Sequence, residues 1–211
     1  MRVISGLYRG KSIKTIKGDS TRPTLDHVKE SLFNIIQFKI DDSKVLDLFA
    51  GSGQLGIEAL SRGAKFVEFC EINKSVYAIL LENLYNVDKS FKLAYSVTLE
   101  NLHQVDKRVK TNNLDYKIFL KSNQTKYDII FIDPPYELKE LEFSLNLAKE
   151  HLEEEGFIVC ESEKSYEFSE YSGLEIYGER IYGNVKLTFF KKKLVIKELI
   201  KNEEMHLPGD V

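Results

Sequence analysis

The chain predicts an α/β fold. Its centre is a doubly wound, seven-stranded sheet closed by a C-terminal antiparallel hairpin, and a small N-terminal β-flap precedes it. Three observations carry this prediction. Short apolar, β-branched runs at residues 45–49, 66–70, 129–132 and 157–161 read as strands buried on both faces, with amphipathic helical stretches between them. A glycine turn, Ala50-Gly51-Ser52-Gly53-Gln54-Leu55-Gly56, leads the first of these strands into a helix. Near the end, Gly183-Asn184 separates two apolar runs by the two residues of a tight hairpin.

Composition narrows the class. The 211 residues, 43% hydrophobic and 30% charged, suit one large soluble domain, or one and a half, with a self-sufficient core. No stretch approaches the roughly 18 to 20 apolar residues of a membrane span, and charges occupy the N-terminal region where a signal peptide is apolar. A cytoplasmic protein without a membrane partner is expected. Cys70 and Cys160 lie inside apolar runs, so both read as buried reduced thiols. His27, His103, His151 and His206 form no cluster with metal-ligand spacing, and no metal is expected.

A net charge of -3 argues against a chain uniformly coated for nucleic acid, yet the charge is unevenly spread. Arg2, Arg9, Lys11, Lys14, Lys17 and Arg22 face a single acid, Asp19, in the first 22 residues. That stretch alternates weakly and is punctuated by Gly6, Gly10 and Gly18, which predicts a basic flap over residues 1–22 with Tyr8 and Arg9 at its tip. Such a flap suits either a phosphate backbone or a simple cover on the sheet. The main domain then spans residues 23–190, and a charged tail covers 191–211, beginning with Lys191-Lys192-Lys193.

Within the domain, Thr24 is a candidate cap for a helix that buries Leu25, Val28, Leu32, Ile35 and Ile36 and turns Lys29 and Glu30 outward. After the first strand come Gly51, Gly53 and Gly56, spaced as G-x-G-x-x-G. In dinucleotide folds these glycines admit a pyrophosphate. Here Asp47 lies on the strand just before the turn, where it would repel a pyrophosphate but accept a hydrogen bond from an ammonium. S-adenosylmethionine, an amino-acid-bearing cation, suits that arrangement better. The second strand ends at Glu71, about twenty residues beyond the first glycine, the spacing at which a carboxylate accepts ribose hydroxyls.

A helix over residues 73–86 follows, with Val76, Ile79, Leu80 and Leu84 on one face. Residues 87–107 carry the weakest signal; Val97, Leu99 and Leu102 suggest further helix. A third strand is expected near residues 108–111 and a helix over 116–120, with Asp115 between them as a candidate acceptor for an adenine amine. Residues 138–152 have helical spacing and 153–156 end that helix.

The most informative stretch is Tyr127-Asp-Ile-Ile-Phe-Ile-Asp-Pro-Pro-Tyr136. Pro134 and Pro135 lack N–H donors, so the buried strand must leave the sheet immediately after Asp133. A carboxylate, a free carbonyl and an aromatic ring are thereby held at the carboxyl edge, where open α/β sheets bind ligands. An exocyclic amine on a nucleobase is a poor nucleophile because its lone pair is delocalised into the ring. Two acceptors, Asp133 Oδ and the Pro134 carbonyl, would hold the amine so that its lone pair points at an electrophilic methyl carbon, while Tyr136 stacks on the base.

Asp47-Leu-Phe-Ala-Gly-Ser-Gly, Glu71, Asp115 and Asp133-Pro-Pro-Tyr, in that order, resemble the Rossmann-like class I S-adenosylmethionine-dependent amino-methyltransferases. More narrowly, Val3-Ile-Ser-Gly-Leu-Tyr-Arg-Gly, Thr21-Arg-Pro-Thr, Val28-Lys-Glu-Ser-Leu-Phe-Asn, Leu55-Gly-Ile-Glu-Ala-Leu-Ser-Arg-Gly and Arg180-Ile-Tyr-Gly resemble the bacterial 16S ribosomal RNA guanine-N2 methyltransferases of the RsmD type. The resemblance implies a methyl-transfer site at Asp133, Pro134, Pro135 and Tyr136, and S-adenosylmethionine held by Asp47, Phe49, Gly51, Gly53, Glu71, Ile72, Asp115 and Asp133. The charge of the basic flap makes Arg9, Lys11 and Arg22 the candidate contacts to RNA, and the resemblance implies a target at guanine 966 and a monomer acting on 16S RNA or a 30S assembly intermediate. The residues leave rivals open: a DNA adenine-N6 methyltransferase, a nicotinamide-dependent oxidoreductase on the same glycines, and a non-catalytic RNA-binding assembly factor.

Overall fold

The computed structural model describes residues 1–15, 26–91, 106–134, 138–169 and 173–193. Its centre is one seven-stranded sheet of order β3-β2-β1-β4-β5-β7-β6. The strands are β1 (Lys44–Asp47), β2 (Phe66–Cys70), β3 (Val109–Asn112), β4 (Tyr127–Ile132), β5 (Leu152–Glu163), β6 (Leu174–Tyr182) and β7 (Val185–Lys192). β1 to β5 pair in parallel, and β7 runs antiparallel to both β5 and β6. Chain order reverses beside β1, whose neighbours are β2 and β4, so the crevice for a ligand opens above the carboxyl end of β1.

Both faces of the sheet are covered, which explains why consecutive positions such as Val45 and Leu46, Ile129 to Ile132 and Ile158 to Cys160 are apolar rather than alternating. On one face, Val45, Val67, Ile129, Phe131, Val159, Leu187 and Phe189 pack against α1 (Asp26–Ile35), α3 (Gln54–Ser61) and α4 (Lys74–Val87). On the other, Leu46, Ile130, Ile132, Ile158 and Cys160 pack against α5 (Tyr116–Ser122) and α6 (Leu138–Ala148). A short α2 (Gln37–Ile40) leads into β1. Cys70 and Cys160 are buried free thiols, as expected from their apolar runs.

The N-terminal flap is a turn closed by the bridge Arg2↔Ser12 and backbone bonds from Val3 to Lys11 (2.9 Å) and from Ile13 to Met1 (2.8 Å). It is bolted down. Glu58 of α3 accepts from the backbone of Ile4 (2.8 Å) and Ser5 (3.0 Å), and Leu7 N donates to the Ser61 carbonyl at 2.7 Å. Gly6 has φ +84, and a Cβ there would lie 1.8 Å from the Ser61 carbonyl oxygen, so only glycine fits this crossing.

Several expectations are corrected. Tyr8 is not an exposed tip; it is 6% exposed, and its hydroxyl donates to Asp88 at 2.8 Å. Lys29 is not outward but wholly buried, with Nζ donating to the Arg2 carbonyl at 2.7 Å. Phe33 rather than Ile35 faces the core. α6 stops at Ala148, a 3-10 turn follows at Lys149–His151, and β5 already begins at Leu152. Residues 153–156 form an irregularity inside that strand, because Tyr127 pairs with Leu152 while Ile129 pairs with Phe157. β7 runs to Lys192, two residues past the expected end of the domain. The expected Thr24 cap, the helix near 97–102 and most of the tail lie outside the described residues.

Candidate active site

The crevice is built by the ends of β1, β2, β3 and β4. β1 ends at Asp47, and the chain turns through residues 48–53 into α3. Gly53 adopts φ +85, and a Cβ there would come 2.4 Å from Leu80 Cδ1, so the turn demands glycine in both conformation and space. Gly53 N donates to the Ala50 carbonyl at 2.7 Å, and Ala50 N to the Cys70 carbonyl at 2.9 Å, tying the turn to the end of β2.

Glu71 follows directly. Its Oε2 accepts from Gly51 N at 2.9 Å and its Oε1 from Asn73 N at 2.7 Å. Each oxygen keeps a second lone pair, so the carboxylate is oriented and still able to accept two hydroxyls. Asn113, just past β3, donates from Nδ2 to the carbonyls of Glu71 (2.7 Å) and Ile72 (3.0 Å) and fixes the same loop from the other side. Ile72 is 62% exposed at the mouth. Phe49 packs on Tyr116 with ring centroids 4.9 Å apart, forming an apolar wall. Asp115 caps α5, its Oδ1 accepting from Lys117 N at 2.8 Å.

Asp47 lies beneath the turn rather than open to the crevice. It is 3% exposed, and its Oδ2 accepts from Gly56 N at 2.9 Å. Burial pushes its carboxyl up to about 7, helped by the charge of Glu71 and opposed by the Gly56 N–H. At the first position of α3, where the glycine turn ends, Gln54 Oε1 is a buried acceptor with no hydrogen-bond partner among the described residues. An unsatisfied acceptor and a carboxyl short of positive charge fit the ammonium of an amino-acid-bearing cofactor. Glu71 and the apolar Phe49 wall fit its ribose and adenine.

Asp133 stands at the exit of β4, half-buried, followed by a half-buried Pro134. Burial first, then the charges of Glu161 and Asp47, hold its carboxyl well above the usual carboxylate range. Pro135 and Tyr136 lie outside the described residues, as does Arg22; Arg9 and Lys11 are exposed on the flap.

Three contributors escaped the sequence reading: Asn83, Asn113 and Glu161. Asn83 left a trace, as the one amide on the apolar face of α4 between Leu80, Leu84 and Val87. Its Nδ2 donates to the Ser52 carbonyl at 2.8 Å and to the Lys14 carbonyl at 2.9 Å, and its Oδ1 accepts from Lys14 N at 2.8 Å. It thus joins the glycine turn to the flap.

Five parallel strands closed by a reversed strand, with the glycine turn and Asp133 at one edge, define a class I methyltransferase fold. The particular membership follows from comparison with known proteins. Residues 1–191 match the family described as Conserved hypothetical protein 95, and the chain belongs to this RsmD-type family. The Bacillus subtilis protein YlbH is 38% identical over 197 residues, covering 92% of this chain and 100% of that protein. Ribosomal RNA small subunit methyltransferase D of Haemophilus influenzae is 38% identical over 168 residues, covering 78% of this chain and 79% of that protein. The solved Escherichia coli protein yhhF superposes with a TM-score of 0.74 at 31% identity, covering 92% and 98% of the two chains.

Proposed function

We propose that this protein transfers the methyl group of S-adenosylmethionine to the exocyclic N2 of a guanine in 16S ribosomal RNA, at position 966, as a cytoplasmic monomer acting on RNA or a 30S assembly intermediate. One observation carries the reading. Asp133 leaves β4 beside the glycine turn and Glu71 in a chain 38% identical to a ribosomal RNA small subunit methyltransferase.

S-adenosylmethionine supplies a methyl group already activated on a sulfonium. The chain's own residues supply alignment and desolvation. Asp133 and the Pro134 carbonyl accept the two N2–H bonds and pull the lone pair out of conjugation, and Tyr136 holds the base plane. As the new N–C bond forms, the C–S bond breaks with its electrons going to sulfur, and the amine then sheds one proton. The crowding that raises Asp133 makes it a better acceptor for that proton than a solvated carboxylate. Arg9, Lys11 and Arg22 supply positive charge for the phosphate backbone.

The test is transfer from isotopically labelled S-adenosylmethionine to 30S particles and naked 16S RNA from cells lacking the enzyme, read by nucleoside mass spectrometry. The expected product is labelled N2-methylguanosine, lost with Asp133→Ala. Labelled N6-methyladenosine would overturn the substrate, and RNA binding without label would favour a non-catalytic assembly factor.

A further inference from the structure

Asp133 does not stand alone at the edge. β4 and β5 pair Phe131 with Val159 and Ile132 with Cys160, and β5 and β7 pair Val159 with Phe189 and Glu161 with Leu187. Phe131, Val159, Phe189 and Leu187 share one face of the sheet, whereas Ile132 and Cys160 belong to the other. Side chains alternate along a strand, so Glu161 rises on the first face, one pleat beyond Val159. Asp133 stands one pleat beyond Phe131 on the neighbouring strand, and neighbouring strands lie about 4.8 Å apart. Their closeness is also electrostatic, since the charge of Glu161 is felt at Asp133. Asp47 is level with Phe131, a step lower, and engaged with Gly56.

We infer that Glu161 is a specificity-determining residue that accepts the N1–H of the target guanine while Asp133 accepts from its N2 amine. The inference deepens the proposed function and rests on its placement of the amine at Asp133. Its basis is the pattern of donors on each base. Guanine presents N2–H and N1–H side by side, two donors for two carboxyl groups on adjacent strands. Adenine presents N6–H beside the N1 lone pair, and cytosine N4–H beside the N3 lone pair. Either would set a lone pair against the Glu161 carboxylate, so Glu161 favours guanine by attraction and rejects the other amines by repulsion.

The experiment removes N1–H and reads the loss against Glu161. RNA carrying 2-aminopurine in place of the modified guanine keeps the exocyclic amine but offers a lone pair at N1 and lacks O6. The change in the base ratio between wild type and the Glu161 variants therefore assigns the part that belongs to N1. Wild-type enzyme is expected to methylate this RNA about 10- to 100-fold less efficiently in kcat/KM than the guanine RNA, the loss of one charge-assisted hydrogen bond. Glu161→Gln is expected to lose a similar factor on guanine and to narrow the guanine to 2-aminopurine ratio, because its amide can donate to a lone pair at N1. Glu161→Asp should retain part of the preference. Calorimetric affinity for S-adenosylmethionine should be unchanged in both variants, which separates base reading from damage to the fold.

Equal wild-type rates on the two RNAs would overturn the inference without any variant. So would an unchanged ratio in a Glu161→Gln enzyme that still binds the cofactor. If wild type places no label on guanine N2, the reading beneath it fails as well. If Asp133→Ala abolishes guanine methylation while the base ratio ignores Glu161, only the role of Glu161 falls.

Discussion

The Lys29 ammonium and the Glu58 carboxylate lie 3.6 Å apart with both side chains completely buried, one on α1 and the other on α3. Burial lowers the Lys29 pKa, and the facing Glu58 resists that shift. Glu58 has other partners: Arg62 Nε at 2.8 Å and the backbone N–H groups of Ile4 and Ser5. The pair is therefore asymmetric. Glu58→Gln leaves a buried ammonium without its counter-charge and should cost about 3 to 5 kcal/mol in urea unfolding. Lys29→Met leaves Glu58 neutralised by Arg62 and should cost clearly less. Equal losses would show that the flap does not depend on Glu58 as its anchor.

Asn83 is the second joint. Asn83→Ala removes the donor to the Ser52 carbonyl and both bonds to Lys14, so it loosens the glycine turn and the flap together. At roughly 1 kcal/mol for each net hydrogen bond, affinity for S-adenosylmethionine should fall about tenfold. Amide exchange at Lys14 should accelerate in the same variant. Faster exchange with unchanged cofactor affinity would uncouple the two sites.

These joints mark where the sequence stopped being legible. The strands at 45–47, 66–70 and 129–132 were readable because burial on both faces leaves short, dense apolar runs, broken only by Asp47 and Glu68. The Gly183-Asn184 turn and the Asp133 exit were readable because glycine and proline act locally. Lys29 was misread because helical periodicity sends a charge outward, and its partner lies on a helix 29 positions away in the chain. Tyr8 was misread for the same reason, since Asp88, which receives its hydroxyl, is 80 positions distant. Residues 153–156 look like a polar break, yet the pairing of Tyr127 with Leu152 draws the break inside β5. Glu161 became visible only through strand register, which no single segment encodes.

Asp47 supplies a pH dependence. A folded pKa raised to about 7 favours the protonated carboxyl, so its contribution to stability is full below the unfolded carboxylate range and is lost as pH rises through about 7. An ammonium brought to the turn prefers the ionised form. Affinity for S-adenosylmethionine should therefore climb as pH rises toward about 7 and level off above it, with proton release on binding in calorimetry. Asp47→Asn should flatten both trends: weak binding at every pH, and no loss of apoprotein melting temperature across neutrality. Wild-type affinity that ignores pH in this window would remove Asp47 from the cofactor's reach.

The flap can be tested against RNA because its anchoring and its charge sit on different residues. Val3, Tyr8 and Ile13 are buried, whereas Arg9 and Lys11 are exposed on a turn fixed to α3. Replacing Arg9 and Lys11 together by alanine should leave the melting temperature and cofactor affinity in place. If both side chains neutralise phosphates, the slope of log affinity against log salt should become shallower by about 1 to 2, because each contact releases somewhat less than one counterion. Tyr8→Phe should do the reverse, loosening the flap by losing the bond to Asp88 while leaving the charge in place. An unchanged salt slope in the double variant would make the flap a cover for the sheet rather than a contact for RNA.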